Sequence, residues 1–75
     1  MLALVIHCYS NFMQRDRYVG IRRTREGCEK LIMEDADVSS IAELEREDDD
    51  HYKYDRKGDG SDVLMYSIQE DQIQD

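Results

Sequence analysis

Along the first nine residues, Leu2, Leu4, Ile6 and Cys8 alternate with Ala3, Val5, His7 and Tyr9. A strand over 2–9 would therefore be apolar on both faces, which suits a central strand or one whose second face a partner covers. Asn11 to Asp16 is polar enough for a connection. Arg17 to Arg23 alternates again, with Val19 and Ile21 on one side and Tyr18 and Arg22 on the other. This pattern predicts a half-buried second strand, antiparallel to the first. Thr24 is a good N-cap, and Glu26 places a carboxylate in the first turn, where the helix dipole favours it. Cys28, Leu31 and Ile32 fall at i, i+3 and i+4, so the spacing predicts a helix over 25–35 with one buried stripe. Gly27 costs that helix about 1 kcal/mol relative to alanine, so packing must hold it.

Ser40-Ile41-Ala42-Glu43 matches a capping box and predicts a short second helix over 41–47, anchored by Ile41 and Leu44. Glu43, Glu45, Glu47, Asp48, Asp49 and Asp50 crowd its C-terminal end, where negative charge opposes the dipole. The helix is expected to fray there and continue as a mobile acidic loop over 45–51. Tyr52 to Arg56 and Asp62 to Ile68 read as strands joined through Lys57-Gly58-Asp59-Gly60-Ser61, a segment rich in residues that tolerate positive φ. In the last strand Leu64, Tyr66 and Ile68 share one face, and Val63 and Met65 the other. The tail over 70–75 is polar and expected to fray. The expected fold is α+β: one small antiparallel sheet in the order β-β-α-(short α)-β-β, with the main helix packed on a face and residues 1–75 forming one domain.

The chain has 75 residues, and a domain near this size buries only about 60% of the surface its unfolded chain exposes. Few apolar positions remain to enclose a substrate, which argues against an ordinary enzyme. Two cysteines, Cys8 and Cys28, fall short of the four or more of a small disulfide scaffold. Both lie in apolar positions and read as reduced, buried thiols, which suits a cytoplasmic setting. The apolar start, Met1 to Ile6, lacks the basic flank of a signal peptide, and no run approaches the length of a membrane span.

The net charge of −8 is unevenly placed: residues 1–33 carry six Lys/Arg against three Asp/Glu, and residues 34–75 four against fifteen. A negative surface repels nucleic acid and membranes and attracts basic protein grooves. The carboxylates of 43–50, with Asp55, Asp59 and Asp62 and further along Glu70 and Asp71, can be read as a solvated, solubilising surface. They can also be read as a mimic of nucleic-acid phosphates, presenting charge to the Lys/Arg that otherwise neutralise a backbone.

Other constellations are weaker. Asp55-Arg56-Lys57-Gly58-Asp59-Gly60 has the outline of a calcium loop, but Lys57 and Tyr66 stand where oxygen ligands are needed, so a turn is expected and no metal or other cofactor. His7 and Cys8 are adjacent in a strand and point to opposite faces, and no zinc-type spacing joins them to Cys28 or His51. No residue can be identified that would orient a Cys–His nucleophilic pair. Arg15, Arg17, Arg22, Arg23 and Arg25 could form a basic patch, but the overall charge opposes nucleic acid. They are expected to pair with the protein's own acidic half or with a neighbouring subunit. Tyr9, Tyr18, Tyr52, Tyr54 and Tyr66 would be interface anchors wherever they lie on an uncovered face.

Gly20-Ile21-Arg22-Arg23-Thr24-Arg25-Glu26 and Tyr66-Ser67-Ile68-Gln69-Glu70 resemble small phage and prophage proteins of unknown function. Those pair a "G-ϕ-x-x-[ST]-x-E-x-A" entry into a helix with a closing Tyr-x-Ile-x-Glu strand. Gly27-Cys28 and the acidic insert depart from that pattern. The resemblance implies a fold and a phage-like setting, with no assigned activity.

Together these features lead to the expectation of a non-enzymatic inhibitor, of anti-CRISPR or anti-restriction type, that occupies a basic groove of a host nucleic-acid-binding protein. Its contact residues would be Glu43, Glu45, Glu47, Asp48, Asp49, Asp50, Asp55, Asp59 and Asp62. The alternative is a homo-oligomeric structural or regulatory accessory protein, a homodimer through its first strand and tyrosines, in which the acids only solubilise.

Overall fold

A computed structural model describes residues 2–72. Its elements are β1 (Leu2–Ser10), β2 (Arg15–Arg22), α1 (Arg25–Ala36), a 3-10 turn (Ile41–Glu43), β3 (Glu45–Asp48), β4 (His51–Asp55) and β5 (Val63–Gln72). The fold is α+β, with one five-stranded antiparallel sheet in the order β2-β1-β5-β4-β3. The strand apolar on both faces is an inner one: β1 pairs with β2 on one side and β5 on the other. No described helix is long and apolar enough to cross a membrane.

The helix packs on one face of the sheet. Thr24 accepts a hydrogen bond from the Gly27 N–H and caps its start, and Asp37 ends it in the left-handed conformation (φ 59°, ψ 49°). Cys28, Ile32 and Ala36 are buried against Ile6, Cys8, Leu64, Tyr66 and Ile68. Both cysteines are buried free thiols, and burial raises the pKa of each. Gly20 lets the helix sit close, since a Cβ there would come within 2.5 Å of Leu31 Cδ2. Gly58 (φ 78°) and Gly60 (φ 80°) take the positive φ expected of the β4–β5 loop.

Three expectations fail locally. The first concerns β2, where a register shift puts Ile6 opposite Gly20 but His7 opposite Tyr18. This bulge makes Val19 an extra residue, and an extra residue reverses the alternation beyond it. Val19 packs against the core, and Tyr18 and Ile21 share the opposite, uncovered face.

The second helix is a single 3-10 turn. Its capping box forms as expected, but the chain leaves the turn at Leu44, which is 6% exposed, and enters β3. The loop expected over 45–51 is thus an edge strand and a tight turn. Helix continuation would have gathered like charges at the negative end of the dipole, whereas the ladder to β4 satisfies backbone groups, with Glu45 opposite Lys53, Asp48 opposite His51, and Glu47 the extra residue of a bulge between them. In the tail, β5 runs on to Gln72 and pairs with β1 as far as Leu2, so 70–72 is strand where fraying was expected. Residues 73–75 lie outside the described part.

Candidate functional site

The nine carboxylates singled out from the sequence fall into two groups along the chain. One group lies on β3 and its flanking turns, the other around the β4–β5 loop. Most have a structural partner. Glu43 Oε2 accepts from the N–H groups of Ser39 (2.9 Å) and Ser40 (3.1 Å), and these bonds hold its carboxyl below its ordinary range. Asp50 accepts from Arg25 Nη2 at 2.6 Å, tying the β3–β4 turn to the start of α1. Asp49 pairs with Arg46 (2.7 Å), whose guanidinium also lies over the Tyr52 ring. Asp55 accepts from the Gly58 and Gly60 N–H groups, and Asp59 from Ser61, which lowers the Asp59 pKa. Asp62, its side chain only 16% exposed, faces Arg56 at 3.7 Å.

The calcium-like loop is therefore a turn in which Asp55 caps backbone donors, and no group of three potential metal ligands occurs among the described residues. Glu45 and Glu47 have no ion-pair partner among the described residues. They stand on the exposed edge strand β3, all four residues of which are exposed. The opposite edge, β2, carries Arg15, Arg17 and Arg22, four strand spacings away, or about 19 Å. The sheet is thus polarised from a basic to an acidic edge. The expected pairing between the two halves of the chain occurs at Arg25–Asp50 and at Arg17–Asp35. The second of these reaches the core, because Tyr66, 1% exposed, donates its hydroxyl to Asp35 Oδ2 at 2.6 Å. Burial alone would raise the Asp35 pKa, but hydrogen bonds from Arg17 and Tyr66 outweigh it and hold the carboxyl below its ordinary value.

The face opposite the helix carries a shallow depression of about 190 Å³ between Tyr9, Met65, His51 and Ser67, with Asp16 and Glu47 at its margins. His51 Nδ1 lies 2.8 Å from Asp48 Oδ1. An oriented histidine was not visible from spacing, because the D-x-x-H arrangement has meaning only once a turn folds it back. Ser67 is the cross-strand neighbour of His51, but the two share no hydrogen bond among the described residues. Asp48 is thus the side chain that orients the histidine among the described residues.

The hydrogen bond to Asp48, followed by the Coulomb attraction of Asp48 and then of Asp50, raises the His51 pKa above 6.5. The bond from His51, followed by that from the Asp50 N–H, lowers the Asp48 pKa below 3.8. A histidine raised by folding contributes stability that is complete below 6.5 and lost as pH rises through its folded value. The depressed aspartate contributes stability present above 3.8 and lost as pH falls. The contact therefore operates between those limits. In an NMR titration His51 should have a midpoint above 6.5, and Asp48→Asn should return it toward 6.5; equal midpoints would exclude the pairing.

Comparison with protein-family models, curated proteins and solved structures finds no match to this chain.

Proposed function

We propose that the protein is a non-catalytic binding protein whose acidic β3 edge docks in a basic, nucleic-acid-binding groove of another protein, in the manner of a phage-type inhibitor of host defence factors. The observation carrying this reading is the edge strand itself. Glu45 and Glu47 project from an exposed strand with no internal ion pair among the described residues, and Asp49 in the following turn, though paired with Arg46, has a side chain 81% exposed. Carboxylates gathered along one exposed edge present a run of negative charge, which suits the Lys/Arg that track a phosphate backbone.

The contact set is narrower than the nine carboxylates. Glu43, Asp55 and Asp62 serve the fold, and Asp50 is engaged by Arg25.

Immobilised protein should retain cationic nucleic-acid-binding proteins from a host lysate at low salt and release them as salt rises. Added free protein should displace the nucleic acid of a retained partner in a gel-shift assay. The triple change Glu45→Gln, Glu47→Gln and Asp49→Asn should weaken displacement at least about tenfold with an unchanged fold, since rim charges chiefly set association rate and salt dependence. Equal displacement by the triple variant, or retained partners that keep their nucleic acid, would refute the reading.

A further inference from the structure

The turn between β3 and β4 folds His51 back onto the acidic edge. Its Nδ1 lies 2.8 Å from Asp48 Oδ1 and 3.0 Å from Oδ2, and both side chains are more than half exposed, so solvent protons reach the pair. Asp48 Oδ1 also accepts from the Asp50 N–H at 2.8 Å. The turn is pinned from two sides. Arg25 of α1 donates to the Asp49 carbonyl and to Asp50 Oδ1, and the Ile68 N–H of β5 donates to the Asp50 carbonyl at 2.8 Å. The imidazole therefore meets Asp48 on a fixed piece of backbone.

The charged groups around the ring are chiefly acidic. Glu47, Asp48 and Asp50 come from β3 and the turn, and Asp16 of β2 stands at the margin of the depression that His51 lines. On β4 itself Lys53, two positions on, is opposite Glu45. β5 places the uncharged Ser67 beside His51, and His7 of β1 lies beyond Ser67. Tyr9 of β1 lines the depression as well, and Tyr52 and Tyr66, which also line it, belong to the core.

We propose that the His51–Asp48 contact makes the acidic β3 edge pH-responsive in its docking. With His51 protonated, its charge cancels that of Asp48 at the end of β3. Once the proton leaves, Asp48 joins Glu45 and Glu47 as docking charge. A neutral imidazole still donates one N–H, and Asp48 keeps its bond from the Asp50 N–H, so the change is one of charge with the backbone in place. This regulation rests on the docking reading, and its sign is fixed: affinity for a cationic groove rises as pH rises through the His51 midpoint. Folding raises that midpoint above 6.5 through the bond to Asp48, whereas ordinary carboxylates titrate near about pH 4. The step is therefore separate from theirs. Linkage requires the reverse effect too, with an occupied edge lowering the His51 midpoint.

Calorimetric titration of the full chain with an oligoarginine peptide, at constant ionic strength from about pH 5.5 to about pH 8.5, tests this, because the peptide keeps its charge throughout. The dissociation constant of the parent should fall about three- to tenfold across that range. His51→Gln, uncharged at every pH, should bind at low pH as tightly as the parent does at high pH. His51→Lys should bind weakly throughout, and His7→Gln should keep the parent profile. In NMR spectra, saturating peptide should lower the His51 midpoint. Circular dichroism and the unfolding midpoint of each variant report that the fold is kept. A parent whose affinity ignores pH, or a His51→Gln variant that retains the slope, overturns the proposal while leaving salt-sensitive docking intact. Absence of salt-sensitive binding at every pH removes the docking reading as well, so the two failures are distinct.

Discussion

Asp35→Ala should remove about 2–4 kcal/mol of stability, measured as a lower urea midpoint with an unchanged slope. Asp35 accepts from both guanidinium nitrogens of Arg17 and from the Tyr66 hydroxyl. Without it the hydroxyl of a residue 1% exposed has lost its acceptor inside the core, and that loss supplies most of the effect. Arg17, its side chain 43% exposed, recovers water and contributes less. A domain of this length has roughly 4–11 kcal/mol in total, so the change removes a large fraction of it. Adding Tyr66→Phe to Asp35→Ala should recover part of the loss, because deleting both partners leaves no orphaned polar group. A midpoint shift worth less than about 0.5 kcal/mol would show that the cluster is peripheral to stability.

The same carboxylate predicts the acid response. Asp35 is depressed on folding from 3.8, so its contribution is present above that value and lost as pH falls through the lower folded value. Acid unfolding of the parent should therefore set in below about pH 4 and be blunted in Asp35→Asn.

Ile32→Ala should destabilise by about 2–5 kcal/mol through lost burial and the cavity left behind. Ile32 is 0% exposed at the centre of the helix face that meets the sheet, between Cys28 and Ala36. Its neighbour Lys30, in an exposed i,i+4 pair with Glu26, provides the contrast: Lys30→Ala should change stability by less than about 0.5 kcal/mol. Thermal melts of the two variants check the difference, and a comparable loss at Lys30 would mean the helix is held by its surface instead of its core. Ile32 and Asp35 lie one helical turn apart, so their combined loss should differ from the sum.

Unpaired charge and uncovered apolar surface lie on different parts of one sheet. The edge strand β3 is where charge is left unpaired, and the face opposite α1 is where apolar surface is left uncovered. Both follow from a small α+β domain having only one helix to cover two sheet faces and no further strand to cap its edges.

How much of this was legible in the chain depended on the range of the interaction. Helix α1 was readable to within a residue because its cap, first-turn acid and Cys28–Ile32 stripe are local contacts. The face assignment of Leu64, Tyr66 and Ile68 followed from a period of two, and the two loop glycines from turn chemistry. The bulge at Val19 was not legible, because it is decided by which residue of β1 stands opposite. Segment 45–48 carries helix-compatible, strongly acidic residues, and it became a strand only because β4 offers an edge and Leu44 is drawn into the core.

Among the nine acidic candidates, composition identified charge but not its neutralisation. Whether a carboxylate caps a loop, meets an arginine or stands free depends on residues as far away as Arg25 from Asp50. The sequence by itself determined the α+β class, the apolar surfaces and the excess of negative charge, because each arises from residue type and short-range periodicity. Only the tertiary structure decided which charges remain unpaired and that Asp35 joins the core to Arg17. Those outcomes rest on register and distance between segments that pattern alone leaves open.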